Sequence, residues 1–488
     1  MDINNKDNQY KEIINYSFLN YLGVIIGILS NIFIYPYNKE LLGIIRYIES
    51  LAYIILPIII MGGASCLVNF SPKFEDNSKL LNFIIYIILR NSLITLFVTF
   101  LIYDYISHFI RIDYIFISIF LAIVLSFIDI FKIRLSLEKK IYIPSILQNI
   151  FPKIFLPLIF IAFYYNHINT EEGVYLHLFS YAFISLFIFL YSFKVKKMNI
   201  SFNFYSLFNI ISKKEYFSYS LYAVAGSLGY LFVYKLDALM IPNLISYEAN
   251  GIYSIASIAA GVIYIPARGI MLLFAPQVSK LIKNENWLKL NIIYKNIAKK
   301  LLFIGLLIFG ILFISIKDFF FLLPTSKELD KTVYVIYIIG VTTVFNMATG
   351  LNSEIINYSK FYRFSIIALG VLALINIVNN YIFIVVFQLG IEGAAIASLV
   401  AIVLYNTIKV LYINQKLHLF PFDTSYFKLL IIQLSIILFF FLIPNFENFF
   451  VNLIIKPILL LSTQLTLVYK LKLVEDLNTF INRFLNRS

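Results

Sequence analysis

Two stretches of this chain carry the same spacing: KEIINYSFLNYLG at 11–23 and KEYFSYSLYAVAG at 214–226. Both read K-E-x-x-x-Y-S-x-x-x-x-x-G, and each opens a long apolar run. A second pair follows, GIIRYIESLAYIILP (43–57) and GIYSIASIAAGVIYIP (251–266). Self-similarity between two parts of a chain is the mark of a duplicated unit. Biased composition makes such matches easier, so the reading has to agree with the spans themselves.

Composition places those runs in a membrane. Of 488 residues, 61% are hydrophobic and only 13% charged, with a mean hydropathy of +0.86. Soluble chains carry about 45–50% apolar and about 25% charged residues. A soluble enzyme is excluded, and so is a disordered chain, which needs low hydrophobicity and high net charge. The single Cys66 rules out an internal disulfide or a cysteine metal cluster. His108, His167, His177 and His418 show no metal-ligand spacing. Neither a metal nor another cofactor is expected. The net charge of +13 suits basic cytoplasmic loops better than nucleic acid. The opening MDINNKDNQYKE lacks the basic and apolar regions of a signal peptide, so the first span is expected to be retained.

A spanning helix takes about 20 apolar residues. Runs near 13–35, 41–66, 80–103, 113–133, 142–164 and 173–193 meet that length, as do 217–241, 251–275, 298–316, 332–352, 362–387, 391–413, 426–444 and 450–469. The expected fold is an all-α polytopic membrane protein of about fourteen transmembrane helices. With the N-terminus in the cytoplasm, the outer loops hold five basic residues: Lys39, Arg111, Lys317, Lys327 and Lys331. Inner segments hold most of the rest, including Lys132, Arg134, Lys139, Lys140, Lys194, Lys196 and Lys197. This positive-inside bias sets the orientation, and an even span count puts the C-terminus in the cytoplasm too. Both repeat openings then start on the cytoplasmic side. That implies two six-helix lobes related by a pseudo-twofold axis along the membrane normal. The expected divisions are an N-terminal lobe at 1–194, a cytoplasmic linker at 195–216, a C-terminal lobe at 217–413 and two further helices with a tail at 414–488.

No G-x-x-x-x-G-K-[ST] phosphate loop occurs, so drive by ATP in this chain is not expected. Charges inside spans are costly and face a bundle interior or water. Six basic residues stand there, Arg46, Arg90, Lys153, Lys235, Arg268 and Lys456, against three acidic ones, Glu49, Asp129 and Asp237. A cationic cavity favours an anionic passenger, and the arginine fork matches phosphate oxygens. Arg90 and Lys153 lie near mid-span, where snorkelling to the surface is hardest. Arg46 and Glu49 share a helix face and can simply neutralise each other. Lys235 and Lys456 lie close enough to their span ends to snorkel, and Asp129 is close enough to meet Lys132. Pro57, Pro152, Pro157 and Pro266 put kinks beside these charges. The stretch 280–300 (KLIKNENWLKLNIIYKNIAKK) reads either as an interfacial helix, with Trp287, Leu288, Leu290 and Ile293 on its apolar side, or as a plain connector.

The stretch YKLDALMIPNLISYEANGIYSIASIAAG (234–261) and the following IYIPARGIMLLFAPQVSKL resemble the seventh and eighth helices of polysaccharide transporters. These are the O-antigen-flippase branch of the multidrug/oligosaccharidyl-lipid/polysaccharide exporter superfamily. Asp237, Glu248, Gly251 and Tyr253 carry that pattern. INIVNNYIFIVVFQLGIEGAAIASLVA (375–401) resembles the junction of the eleventh and twelfth helices, with Gly390, Gly393, Ala394, Ala395 and Ala397 suited to close helix contact. The resemblance implies a flippase, not an enzyme, in the bacterial cytoplasmic (inner) membrane. It would carry an undecaprenyl-pyrophosphate-linked oligosaccharide for O-antigen, lipopolysaccharide or capsule assembly by alternating access. Membrane lipids, a polysaccharide polymerase and other glycan-assembly proteins would be its partners, and nucleic acid would not. Substrate binding would fall to Arg90, Lys153, Arg268, Arg46 and Lys235. Coupling to a proton or sodium ion would fall to Asp237, Asp129 or Glu49. A lipid II flippase or a cation-exporting multidrug antiporter of the same superfamily is the alternative.

Overall fold

In the computed structural model, the described residues are Gly23 and 25–482, apart from positions 75, 108–112, 139, 141, 198–203, 324, 445, 447, 476 and 480–481. They form helices joined by short turns, with no β-strand among them. Twelve of these helical segments are long and apolar enough to cross a membrane. They match twelve of the expected spans in order. The run 217–241 lies within a thirteenth long helix, Lys213–Leu244. Of the run 13–35, positions 13–22 and 24 lie outside the described residues, and 25–33 are helical. The chain is therefore an all-helical, multi-pass membrane protein.

Contacts divide it into two compact units, 1–254 and 255–488. In unit 1 the long helices are α1 (Lys39–Ile60), α3 (Ser78–Ser107), α4 (Ile115–Leu137), α6 (Phe151–Tyr164), α7 (Thr170–Val195) and α8 (Lys213–Leu244), with the short α2 (Gly63–Phe70) and α5 (Tyr142–Asn149) between them. Helix α9 (Tyr247–Gly261) begins in unit 1. The hub is α1, which packs on α3, α4, α7 and α8. Its Leu41, Leu42, Ile45 and Ala52 are wholly buried. Asn38 caps it by accepting a hydrogen bond from the Leu41 amide at 2.9 Å. The Met61 amide closes its last turn on the Pro57 carbonyl, and Met61 and Gly62 then turn left-handed, at φ 45° and 65°. The expected span 41–66 is thus broken near its C-terminal end. Helix α7 starts with a reciprocal cap between Asn169 and Glu172.

The boundary at Ser254 differs from the linker expected at 195–216. Helix α8 and the first turns of α9 pack on α1 and so count with the first unit. The sequence repeat and the contact units are different divisions of one chain.

Unit 2 is built on α11 (Trp287–Phe321), a helix of 35 residues. Around it stand α10 (Ile265–Lys283), α12 (Val333–Ala348), α16 (Thr424–Leu442) and α17 (Lys456–Lys470). The short α13 (Asn352–Tyr358) leads to α14 (Tyr362–Asn380), and α15 (Gly390–Leu417) packs on both α12 and α14. The expected span 251–275 divides at Gly261, because a 3-10 turn precedes Pro266 in the first turn of α10. The stretch 280–300 is not a separate interfacial helix. A tight turn at Asn284–Asn286 ends α10, and α11 runs on from Trp287 with Leu290 buried in the core and Leu288 exposed.

Candidate functional site

Unit 1 buries a charged cluster on α1. Three residues apart on a helix, Arg46 and Glu49 share a face, and Arg46 Nη1 donates to Glu49 Oε2 at 2.7 Å. From α7, His177 Nε2 comes within 3.3 Å of the other carboxylate oxygen. Glu49 is 7% exposed and His177 3%. Tyr181, one turn on, stands edge-on to the imidazole. From α8, Lys235 Nζ lies 4.9 Å over the ring of Tyr53, one turn beyond Glu49 on α1. Its charge is felt by Glu49 and Arg46. One carboxylate therefore faces two cations and an imidazole. The cluster is cationic with a neutral His177 and more so with a charged one. Among the described residues, no hydrogen-bond acceptor meets buried Arg46 Nε. A guanidinium N–H left open in this way suits an incoming phosphate oxygen. Glu49 lies ten residues from Lys39, roughly 15 Å along α1 at 1.5 Å per residue.

Three of the residues singled out by sequence are thus brought together: Arg46, Glu49 and Lys235. The others lie elsewhere. Arg90, on α3, is exposed and donates to the Asn91 side chain at 3.0 Å and 3.2 Å. Asn91 in turn holds the Ile58 and Ile59 carbonyls near the end of α1. Lys153 is half-buried, and a Cβ on Gly23 would lie 3.4 Å from its Nζ. Asp129 sits a turn from Lys132, whose ammonium donates to Gln148. Asp237 accepts from the Tyr253 hydroxyl at 2.5 Å, joining α8 to α9. In unit 2, Arg268 is exposed and stands 5.6 Å from the Tyr264 ring centre. Lys456 is buried and donates to the Ile443 carbonyl at 2.9 Å.

Sequence reasoning passed over a second polar cluster, in unit 2. Lys409 of α15 is 2% exposed. Its ammonium donates to Asn352 Oδ1 at 3.0 Å and Ser353 Oγ at 2.9 Å, and it lies 4.0 Å from the Tyr405 ring centre. Asn406 bridges Asn346 and Asn352 at 3.0 Å each. Glu354 contributes a buried carboxylate oxygen that has no hydrogen-bond partner among the described residues. Burial pushes that carboxyl above the usual range, against the opposing pull of its own backbone amide and of Lys409. The available signal was a lysine inside the expected span 391–413. It was not singled out among the charges within spans. His177 was set aside because it lacks a metal-ligand spacing, whereas its role here is to face a carboxylate. Among the described residues, no group of three His, Cys, Asp or Glu is arranged to hold a metal ion.

No known protein family matches the sequence, and no curated protein matches it. Solved structures do match the fold. A lipid II flippase, MurJ, in an inward closed conformation aligns with a TM-score of 0.67 at 16% identity, covering 94% of this chain and 99% of its own. A multidrug resistance MATE family transporter of the MOP superfamily, facing inward, aligns with a TM-score of 0.59 at 13% identity, covering 82% and 94%. A MATE transporter of Vibrio cholerae aligns with a TM-score of 0.51 at 12% identity, covering 86% and 99%. At these identities the likeness is one of architecture. The chain has the helical transporter fold that the lipid II flippase and the MATE proteins share.

Proposed function

We propose that this chain is a flippase that moves an undecaprenyl-pyrophosphate-linked oligosaccharide from the cytoplasmic to the outer leaflet. The observation that carries the reading is the buried cationic cluster of Arg46, Glu49, His177 and Lys235, with the unsatisfied Arg46 Nε. A pyrophosphate offers oxygens for that donor and negative charge for the cluster, while the polyprenyl tail stays in the bilayer. A cationic drug would be repelled by the same charges. Two six-helix lobes at 1–194 and 217–413 would alternate access around the site. The fold shared with transporters that have been seen facing inward supports this motion.

Coupling to a proton or a sodium ion falls to Glu49, Asp237 or Asp129, the acidic groups within the spans. Arg90, Lys153 and Arg268 supply further positive charge along the path. The protein resides in the bacterial cytoplasmic membrane with both termini inside, and its partners are a polysaccharide polymerase and the other glycan-assembly proteins. A second reading, lipid II as cargo, has one observation in its favour: the lipid II flippase covers 94% of this chain in the structural alignment.

The test is translocation in proteoliposomes. Fluorescent undecaprenyl-pyrophosphate oligosaccharide and lipid II are offered separately, with and without proton and sodium gradients. Arg46→Ala, Lys235→Ala, Arg90→Ala and Lys153→Ala are assayed beside the wild type. The expected result is movement of the oligosaccharide lipid, lost in Arg46→Ala and reduced in Lys235→Ala. Movement of lipid II alone selects the second reading. Movement of neither under any gradient rejects both.

A further inference from the structure

Among the described residues of unit 1, α3 and α7 both pack on α4, and over its face they stand apart from each other. The groove left between them has a volume of about 450 Å³, within the range of about 300–1,000 Å³ of ligand cavities. Its walls are apolar, with Val124, Phe127 and Phe131 from α4 and Leu186, Phe189 and Phe193 from α7. The α4 residues recur three and four positions apart, so they form one stripe along the helix. Phe131 stands edge-on to Phe189 at 5.1 Å, and Phe193 follows Phe189 at 4.8 Å. Leu186 is 53% exposed, which marks the open side of the groove.

At one end the stripe runs on into charge. Arg134, three residues past Phe131 on α4, has its guanidinium 6.0 Å from the Phe193 ring centre. It donates to Ser192 Oγ at 2.9 Å and to the Lys196 carbonyl at 2.7 Å, which ties α4 to the end of α7. Lys196 Nζ in turn donates to Glu138 Oε1 at 2.9 Å. Asp76, which accepts from the Ser78 amide at 3.1 Å and hydroxyl at 2.8 Å, completes a small hollow with Arg134, Glu138 and Lys196. Helix α3 begins at this hollow, and α4 and α7 end at it. Two cations and two carboxylates thus line the mouth of an apolar groove, which is the layout of an amphiphile with a mixed-charge head.

We propose that this groove and its hollow bind one phospholipid of the inner leaflet, with an acyl chain along the phenylalanines and an ethanolamine headgroup at the hollow. An empty groove forfeits dispersion contacts, and in a bilayer any acyl chain restores them, so the headgroup decides the occupant. Its phosphate matches Arg134 and Lys196. Its primary ammonium, with three N–H donors, matches Asp76 and Glu138. A choline lacks those donors, and a glycerol headgroup lacks the positive charge. A pyrophosphate, with more negative charge and no cation of its own, is repelled by the two carboxylates and suits the surplus of cations at Arg46 and Lys235. A chain held here wedges α3 from α7 and fixes both on α4. The orientation given by the basic loops puts the hollow on the cytoplasmic side, and the site stands without the flippase reading.

Fluorescence quenching tests it, because the chain has a single tryptophan, Trp287. In a Trp287→Phe background, Phe189→Trp puts a reporter in the groove, and Leu190→Trp puts one on the exposed neighbouring position. Each full-length protein is reconstituted in phosphatidylcholine vesicles doped with a small fraction of one brominated-chain lipid: phosphatidylethanolamine, phosphatidylglycerol or phosphatidylcholine. The expected result is quenching of Phe189→Trp by the brominated phosphatidylethanolamine severalfold stronger than by the other two, and severalfold stronger than at Leu190→Trp. Phe193→Trp is the groove reporter if Phe189→Trp does not fold. Adding Asp76→Asn/Glu138→Gln should erase the headgroup preference, and a preference that survives it overturns the assignment. Quenching equal for the three headgroups, or equal at both reporters, means bulk lipid only and overturns the site. Displacement of the brominated lipid by undecaprenyl-pyrophosphate oligosaccharide gives the groove to the cargo and overturns it too. Quenching as expected in proteoliposomes that move no oligosaccharide lipid keeps the site and rejects the flippase reading.

Discussion

Arg46 and Glu49 close a 2.7 Å ion pair inside the apolar body of unit 1, and His177 faces the oxygen that Arg46 leaves open. Removing one partner of a buried pair strands the other, at about 3–5 kcal/mol. The Arg46 side chain is 25% exposed, so screening lowers the expected cost. Glu49→Gln should destabilise the protein by about 2 kcal/mol. Arg46→Met/Glu49→Met should cost less than the sum of its single changes, with a coupling of about 1–3 kcal/mol. Unfolding in mild detergent measures the wild type, Glu49→Gln, the two single Met variants and the double variant, and strictly additive Met effects would mean that the pair is not coupled.

Lys409 gives a contrasting case, since Asn352, Ser353 and the Tyr405 ring solvate its ammonium in place of a carboxylate. Lys409→Ala empties the volume of its stem and leaves two acceptors short, at about 3 kcal/mol. Lys409→Met refills that volume without the charge and should recover about half of the loss. Thermal unfolding of both variants decides it. Equal losses would show that charge, not volume, governs the site.

Glu354 contributes a pH dependence. Its carboxyl titrates above the ordinary range because it is buried, so the folded state holds the proton more tightly than the unfolded chain. Its stabilising contribution is complete below the unfolded value and is lost as the pH rises through the folded one. Glu354→Gln, neutral throughout, removes that slope. Melting temperatures from about pH 4 to 8 should fall with pH more steeply in the wild type than in the variant. Parallel curves would refute the assignment.

Gly62 is a backbone requirement of another kind. It sits at φ 65°, and a Cβ there would lie 2.7 Å from the Ser220 carbonyl oxygen. Gly62→Ala combines left-handed strain with that clash and should cost about 2 kcal/mol. Ser220→Ala loses only the hydroxyl bond to the Met61 carbonyl, about 1 kcal/mol. The ratio of the two losses in an unfolding assay tests whether the break after α1 is held by shape more than by hydrogen bonding.

The span pattern was legible because lipid demands long apolar runs, and helices such as Ile115–Leu137 and Thr170–Val195 obey it without interruption. Interruptions were legible only where proline marked them. The 3-10 turn before Pro266 follows from the missing N–H, but the left-handed pair Met61–Gly62 has no such flag. Long helices also hid their starts. The basic, polar first turns of α11 look like a loop until Leu290 is seen in the core. Arg46, Glu49 and Lys235 were named from sequence, but their company was not, and Arg90 and Arg268, named beside them, are exposed. Arg46 and Glu49 could be paired from their spacing, whereas His177 reaches them from a helix more than a hundred residues away, and nothing local announces it. Lys409 was missed for the converse reason: its span was known, yet nothing in the sequence announces the asparagines that surround it.

The bond from Tyr253 to Asp237 has a mechanical consequence. It bridges α8 and α9 below the bend that joins them, and a braced bend behaves as a crank. A tilt of α8 is delivered to the far arm as displacement and not lost in flexing of the elbow. Tyr253 stands two residues past Gly251, so the brace meets α9 beside its contact with α1. A proton or cation arriving at the Asp237 carboxylate would compete for the oxygen that holds the brace. The same event that loads that carboxylate would put slack into the drive train.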